Sequence, residues 1–213
     1  MEYGTSSRDY LKRARARLGD NEPSALIYAA LELRCGVEAR MTEYLDVQTH
    51  LSKKKKKSWQ LAKLGRHVEA AFKIGDKIVR WAVHDKKSGE LIACFYYTPV
   101  TSRLRKSAEK LGHYLHSMKQ FKPFGDPYWR TLRDKLEDVT KQLELANKGT
   151  LLGPPLMKRG TGDIRMVLEL PPEFDANEIM KKLYQEEIIV KVSYIQSFPG
   201  KLERESYVWS FSG

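Results

Sequence analysis

Between residues 26 and 45, eight apolar residues (Leu26, Ala29, Ala30, Leu33, Val37, Met41, Tyr44 and Leu45) recur at i, i+3, i+4 and i+7. Only a helix puts such positions on one face. The pattern therefore commits the chain to a long amphipathic helix over about 23–49, whose stripe other elements must cover. Pro23 suits a first helical turn, and the charged Glu32, Arg34, Glu38, Arg40 and Glu43 are assigned mostly to the other faces. A short helix is predicted before it over 7–18, with Ser6 or Ser7 as cap, Tyr10, Leu11, Ala14 and Leu18 at helical spacing, and Gly19 at its end. Together these two make an αα-hairpin.

The spacing predicts a third helix over 58–72, with Trp59, Leu64, Val68 and Phe72 on one side and Gly75-Asp76 closing it. The period then changes from 3.6 to two. Ile78, Val79, Trp81 and Val83, the turn 85–89, and then Leu91, Ala93, Phe95 and Tyr97 predict a β-hairpin over about 77–97, set inside the helical region 1–148. Thr101 or Ser102 caps a fourth helix through Leu104, Ala108, Leu111, Leu115 and Met118. Asp126-Pro127 opens a fifth, carrying Leu132, Leu136, Val139 and Leu143.

Glycines and prolines over 149–161 read as a linker, and 162–213 as a small β-α-β-β unit: a strand at 164–170, a helix from the capping box Asp175-Ala176-Asn177-Glu178, and strands at 188–195 and 206–211. The fold class expected is α+β. At about fifty residues the last unit has little core of its own and is expected to pack on the helical part or on a partner.

Charge adds the first functional clue. Of 213 residues, 38 are Lys or Arg and 27 Asp or Glu, a net +11, yet segment 51–120 alone holds 17 of those cations and five of the acids. A polyanion site needs cations close together, so nucleic acid or an acidic partner is expected there. The candidate contacts are Lys53, Lys54, Lys55, Lys56, Lys57, Lys63, Arg66, Arg80, Lys86, Lys87, Arg103, Arg105 and Lys106. The five-lysine run reads as a solvated loop or a frayed helix end, because adjacent like charges repel. Trp81, Phe95, Tyr96 and Tyr97 read as core, with base stacking as the alternative. Tyr207, Trp209 and Phe211 read as core or as an edge pairing surface.

No apolar run approaches the roughly 18 residues that span a bilayer, and the basic first twenty residues are no signal peptide. A cytoplasmic protein is expected. Cys35 and Cys94 stand apart and form no zinc motif, and Gly160-Thr161-Gly162 beside Lys158 and Arg159 is too short for a phosphate loop. No cofactor or metal is expected. Glu109, His113 and His116 share a face if one α-helix runs through them, and an interface face is the preferred reading of that trio over a metal site.

The run Ser7-Arg8-Asp9-Tyr10-Leu11-Lys12-Arg13-Ala14, followed by Ala29-Ala30-Leu31-Glu32-Leu33-Arg34-Cys35-Gly36-Val37-Glu38-Ala39 on the long helix, resembles the opening helix pair of HEPN-type proteins, over about residues 1–120. The resemblance implies a small helical bundle that dimerises. It also implies a place among bacterial toxin, CRISPR-linked and antiphage defence systems, where many members are metal-independent ribonucleases. Their signature is an Arg followed by four to six residues and a His: the His moves protons, and the Arg steadies the phosphorane.

None of His50, His67, His84, His113 and His116 has an Arg at that distance; Arg80 stands one residue too close to His84. The nearest substitute is Lys110, with five residues between it and His116, and Lys lacks the planar fork of Arg. A non-catalytic relative is therefore the expected function. The alternative is a divergent ribonuclease with His113 or His116 as acid and base and Lys110 with Arg105 on the phosphate. A purely structural scaffold subunit is the third. A homodimer is expected through the long helix, whose stripe looks broader than its neighbours can cover, and through Leu111, Leu115, Met118 and Phe121, with Gly112 allowing close approach.

Overall fold

The computed structural model describes residues 3–20, 22–49, 51–52, 60–116, 122–157, 164–169, 181 and 187–195. The chain is α+β and divides into two units, one formed by Met1–Gly75 with Val100–Lys148 and the other by Asp76–Pro99 with Gly149–Gly213. The first unit is helical: α1 (Ser7–Leu18), α2 (Pro23–Asp46), α3 (Leu61–Phe72), α4 (Ser102–Leu111) with one 3-10 turn after it (Gly112–Leu115), and α5 (Pro127–Lys148). None of the helices among the described residues is long and apolar enough to cross a membrane.

α2 is the axis of this unit and packs against α1, α3, α4 and α5. Its eight-residue stripe is buried within the one chain, from Leu26 at 2 % exposure to Leu45 at 0 %. No surplus of that stripe is left over, which removes the reason for expecting a second copy on it. Gly36 lets two neighbours approach α2 together: a Cβ there would stand 2.8 Å from Leu143 Cδ2 of α5 and 3.2 Å from Tyr10 Cβ of α1.

One polar residue shares the buried side. Arg40, expected on another face, is fully buried. It lies three positions after Val37 and four before Tyr44, so helical geometry puts it beside both. Its Nε donates to Tyr44 Oη at 3.0 Å and to Ala146 O at 3.1 Å, its Nη1 pairs with Glu43 Oε2 at 2.9 Å, and Tyr44 Oη donates to the same carbonyl at 3.2 Å. The other oxygen of Glu43 accepts the backbone N–H of Ser7 at 2.7 Å. A cation thus sits at the C-terminal end of α5 and a carboxylate at the N-terminal end of α1, each where the helix dipole favours it. Arg133 fixes the other end of α1, donating to Leu18 O and to Asp20 O at 2.7 Å.

The second unit begins with the expected hairpin, β1 (Ile78–Asp85) and β2 (Leu91–Tyr97). β1 is the central strand of an antiparallel sheet ordered β2-β1-β5, where β5 is Ile188–Ile195, paired from Ile78↔Ile195 to Asp85↔Ile188. The hairpin interrupts the helical region in sequence, but its third strand comes from the C-terminal segment. Residues 149–161, expected as a linker, are partly tied down. Gly149 N donates to Thr98 Oγ1 at 3.0 Å, Leu151 N to Tyr96 O at 3.0 Å, and β3 (Leu156–Met157) pairs with β4 (Ile164–Arg165). Of the strand expected at 164–170 the structure shows that short pair and an antiparallel bridge of Leu168 with Leu151. The capping box 175–178 and the strand expected at 206–211 lie outside the described residues.

Two consequences are measurable. Arg40→Leu keeps most of the volume but leaves the Glu43 carboxylate without its cation and removes one of the donors to the Ala146 carbonyl, so the helical unit should lose about 3–5 kcal/mol in urea unfolding; a loss under about 1 kcal/mol would contradict this role. At the start of α1, the Ser6 hydroxyl and backbone N–H hold the Asp9 carboxyl below its ordinary value of 3.8. A depressed folded value gives stability that is present above the unfolded value and lost as pH falls through the folded one. Acid unfolding of Asp9→Asn should accordingly fall less steeply than wild type below about pH 4, and superimposable curves would count against it.

Candidate nucleic-acid interface

α4 is set by its cap and its stripe. Thr101 Oγ1 accepts the Leu104 N–H at 3.1 Å, and Leu104, Ala108 and Leu111 are buried at i, i+4, i+7. The opposite positions, Arg103, Lys106 and Lys110, are therefore exposed. α3, which packs against α4, buries Leu61, Leu64, Gly65 and Phe72 and leaves Arg66 exposed and Lys63 half-buried.

The candidate cations separate by what they touch. Arg105 lies flat against Gly65, where any Cβ would overlap its guanidinium, and its buried Nε has no hydrogen-bond partner. Arg103 pairs with Asp138 of α5 at 2.8 Å. Lys63, Arg66, Lys106 and Lys110 make no ion pair among the described residues, so their charge is available to a partner.

The remaining candidates lie elsewhere. Arg80 is half-buried in β1 opposite Tyr96, Lys86 pairs with Glu187 at 3.0 Å, and Lys87 is exposed in the hairpin turn; all three belong to the second unit. The charge-rich segment of the sequence is thus divided between two units. Trp81, Phe95, Tyr96 and Tyr97 are buried, between 1 % and 8 % exposed, and offer no stacking surface. Lys53 to Lys57 and His50 lie outside the described residues, as do residues 117–121 and the Lys158–Gly162 stretch.

The histidine constellation depends on one continuous α-helix, and the helix stops at Leu111. Residues 112–115 form a 3-10 turn and His116 has extended backbone, φ −91° and ψ 159°. A 3-10 turn advances about 120° per residue instead of about 100°. The shared face of Glu109, His113 and His116 is therefore broken, and among the described residues no group of three His, Cys, Asp or Glu is placed to hold a metal. No hydrogen bond or ion pair joins His113 or His116 to Lys110 or Arg105. His67 is half-buried on α3, and His84 Nδ1 contacts Gly89 O at 3.1 Å within the hairpin.

Lys110 instead lines a cleft of about 440 Å³ between α4 and α5, together with Ser107, Tyr114, Thr131 and Lys135. The α5 side of this cleft lies beyond residue 120, outside the charge-rich segment of the sequence. Its signal was the pair Tyr128-Trp129 directly after Pro127, in a first helical turn, with Lys135 seven residues from Tyr128 and so on the same face.

Comparison with protein-family models, curated proteins and solved structures returns no match.

Because neither histidine meets a phosphate-binding cation, a mixed RNA pool incubated with EDTA should give the same fragment pattern with wild type and with His113→Ala/His116→Ala. RNA cleavage that the double variant abolishes would restore the ribonuclease alternative.

Proposed function

We propose that the chain is a non-catalytic, HEPN-like component of a bacterial defence or nucleic-acid-processing assembly, acting in the cytoplasm and holding nucleic acid through the cations of α3 and α4. The observation that carries this is the set Lys63, Arg66, Lys106 and Lys110, without ion partners among the described residues, on two helices packed together. Four arginines of the same unit are engaged in tying helices: Arg13 to Glu32, Arg15 to Glu144, Arg40 to the Ala146 carbonyl and Arg103 to Asp138. Cations left over from such pairing release the counterions of the phosphates they neutralise. Lys53 to Lys57 precede α3 in the sequence and add five charges to the same stretch.

An acidic protein partner would use the same cations, and a scaffold subunit would use none of them. A second copy, which the resemblance implies, would meet this chain at the exposed Tyr28 and Leu31 of α2 rather than at the buried stripe.

Anisotropy titrations of labelled RNA and DNA from about 50 mM salt upward should show affinity falling linearly on a log–log plot, and Arg66→Gln, Lys106→Gln and Lys110→Gln should each reduce the slope by about 0.7 on single strands or about 0.9 on duplex DNA. If no nucleic acid binds at about 50 mM salt, the reading fails and a protein partner takes its place.

A further inference from the structure

We infer that the cleft between α4 and α5 seats one nucleotide of a single strand, its base packed on Tyr114 and its phosphate held between Lys110 and Lys135; this rests on the reading of the helical unit as a nucleic-acid binder. At about 440 Å³ the cleft falls within the range of small-ligand sites, and Leu111 and Val139 give it an apolar part. Ser107 adds a hydroxyl able to donate to a phosphate or sugar oxygen, whereas the Thr131 hydroxyl donates to Pro127 O at 3.1 Å and has only lone pairs to offer. The site contains two carboxylates as well. Asp138 is matched by Arg103 at 2.8 Å and by Gln142 Nε2 at 2.7 Å, while Asp134 is exposed.

One ring, Tyr114, lines this cleft, and it continues into a small aromatic cluster beside it. Tyr114 stands 6.2 Å from Tyr128, and Tyr128 stands 5.1 Å from Trp129, whose Nε1 donates to Pro123 O at 3.0 Å. Two ammonium groups attend these rings. Lys135 Nζ lies 3.0 Å from Tyr114 Oη and 5.8 Å from the Tyr114 centroid, and Lys122 Nζ lies 5.8 Å from the centroid of Tyr128. Rings interleaved with cations are the combination that single strands favour, because an unstacked base offers a π face and the backbone beside it offers charge. A duplex keeps its bases stacked and has only its backbone to offer, and an acidic peptide has no use for the rings.

Lys106 lies one helical turn before Lys110 on the exposed side of α4, so the cations continue outside the cleft. That continuation favours a strand over a free mononucleotide, since it gives a neighbouring phosphate somewhere to go.

The test uses the full chain and three probes at about 50 mM salt: a fluorescein-labelled poly(U) of about 12 nucleotides, an RNA duplex of similar length, and unlabelled uridine monophosphate as competitor. Tyr114→Ala should weaken poly(U) binding about tenfold, Tyr114→Phe should restore it, and duplex binding should stay within about twofold of wild type. Lys135→Gln, which leaves the ring in place, should also weaken poly(U) binding and lower its salt slope by about 0.7. Circular dichroism of each variant establishes that the helices are retained.

If wild type binds poly(U) and both Tyr114→Ala and Lys135→Gln bind it equally well, the cleft is not the site, although the helical unit remains a nucleic-acid binder. If millimolar uridine monophosphate displaces the strand completely, the occupant is a free nucleotide and the inference fails in that form. If wild type binds no probe, both the inference and the reading beneath it fall.

Discussion

The guanidinium of Arg40 is the constraint on which the helical unit depends. Burying a cation is costly unless its donors and its charge are matched; here the matching groups come from two helices, and one of them reaches on to a third. Glu43 and Tyr44 lie on α2 itself, the Ala146 carbonyl lies near the end of α5, and Glu43 in turn holds the first backbone N–H of α1. Apolar packing along the α2 stripe supplies most of the driving force, but it is tolerant of sliding by a turn. A fixed set of hydrogen bonds is not. By settling where α5 ends, Arg40 also settles which residues of α5 stand across from α4, and so the composition of the cleft.

Much of this architecture was legible in the sequence. The α2 stripe, the change of period at residue 78 and the caps each rest on a local rule; the structure bears out the first two and takes Ser6 over Ser7 and Thr101 over Ser102 as the caps. Arg40 was not, because side-chain type was allowed to outweigh position: three residues from Val37 and four from Tyr44, it shares their side of the helix. The pairing of β1 with β5 joins residues more than a hundred positions apart. No local pattern encodes such a partner, and the hairpin therefore looked like an insertion in the helical region.

The candidate site was legible only in part. Net charge over 51–120 pointed to α3 and α4, but a sum along the chain is blind to pairing, so Arg103 and Lys86 were counted although Asp138 and Glu187 neutralise them. The histidine spacing presumed a helix that ends at Leu111, a change that 3-10 geometry imposes after the chain has passed the last buried position of the α4 stripe. Tyr114 and Lys135 meet only because α4 and α5 pack together, a tertiary event that a segment-by-segment view misses. What the fold contributes is selection: of many cations, it leaves a few unpaired among the described residues and sets some cations beside aromatic rings.

Amide hydrogen exchange of the whole chain, with and without a saturating short single-stranded RNA, tests the central claim most directly. The account predicts slower exchange within Ser102–Leu115 and the first half of Pro127–Lys148, with the hairpin strands Ile78–Asp85 and Leu91–Tyr97 unchanged. Protection confined to the hairpin, with α4 and α5 exchanging as they do in the free protein, would contradict it.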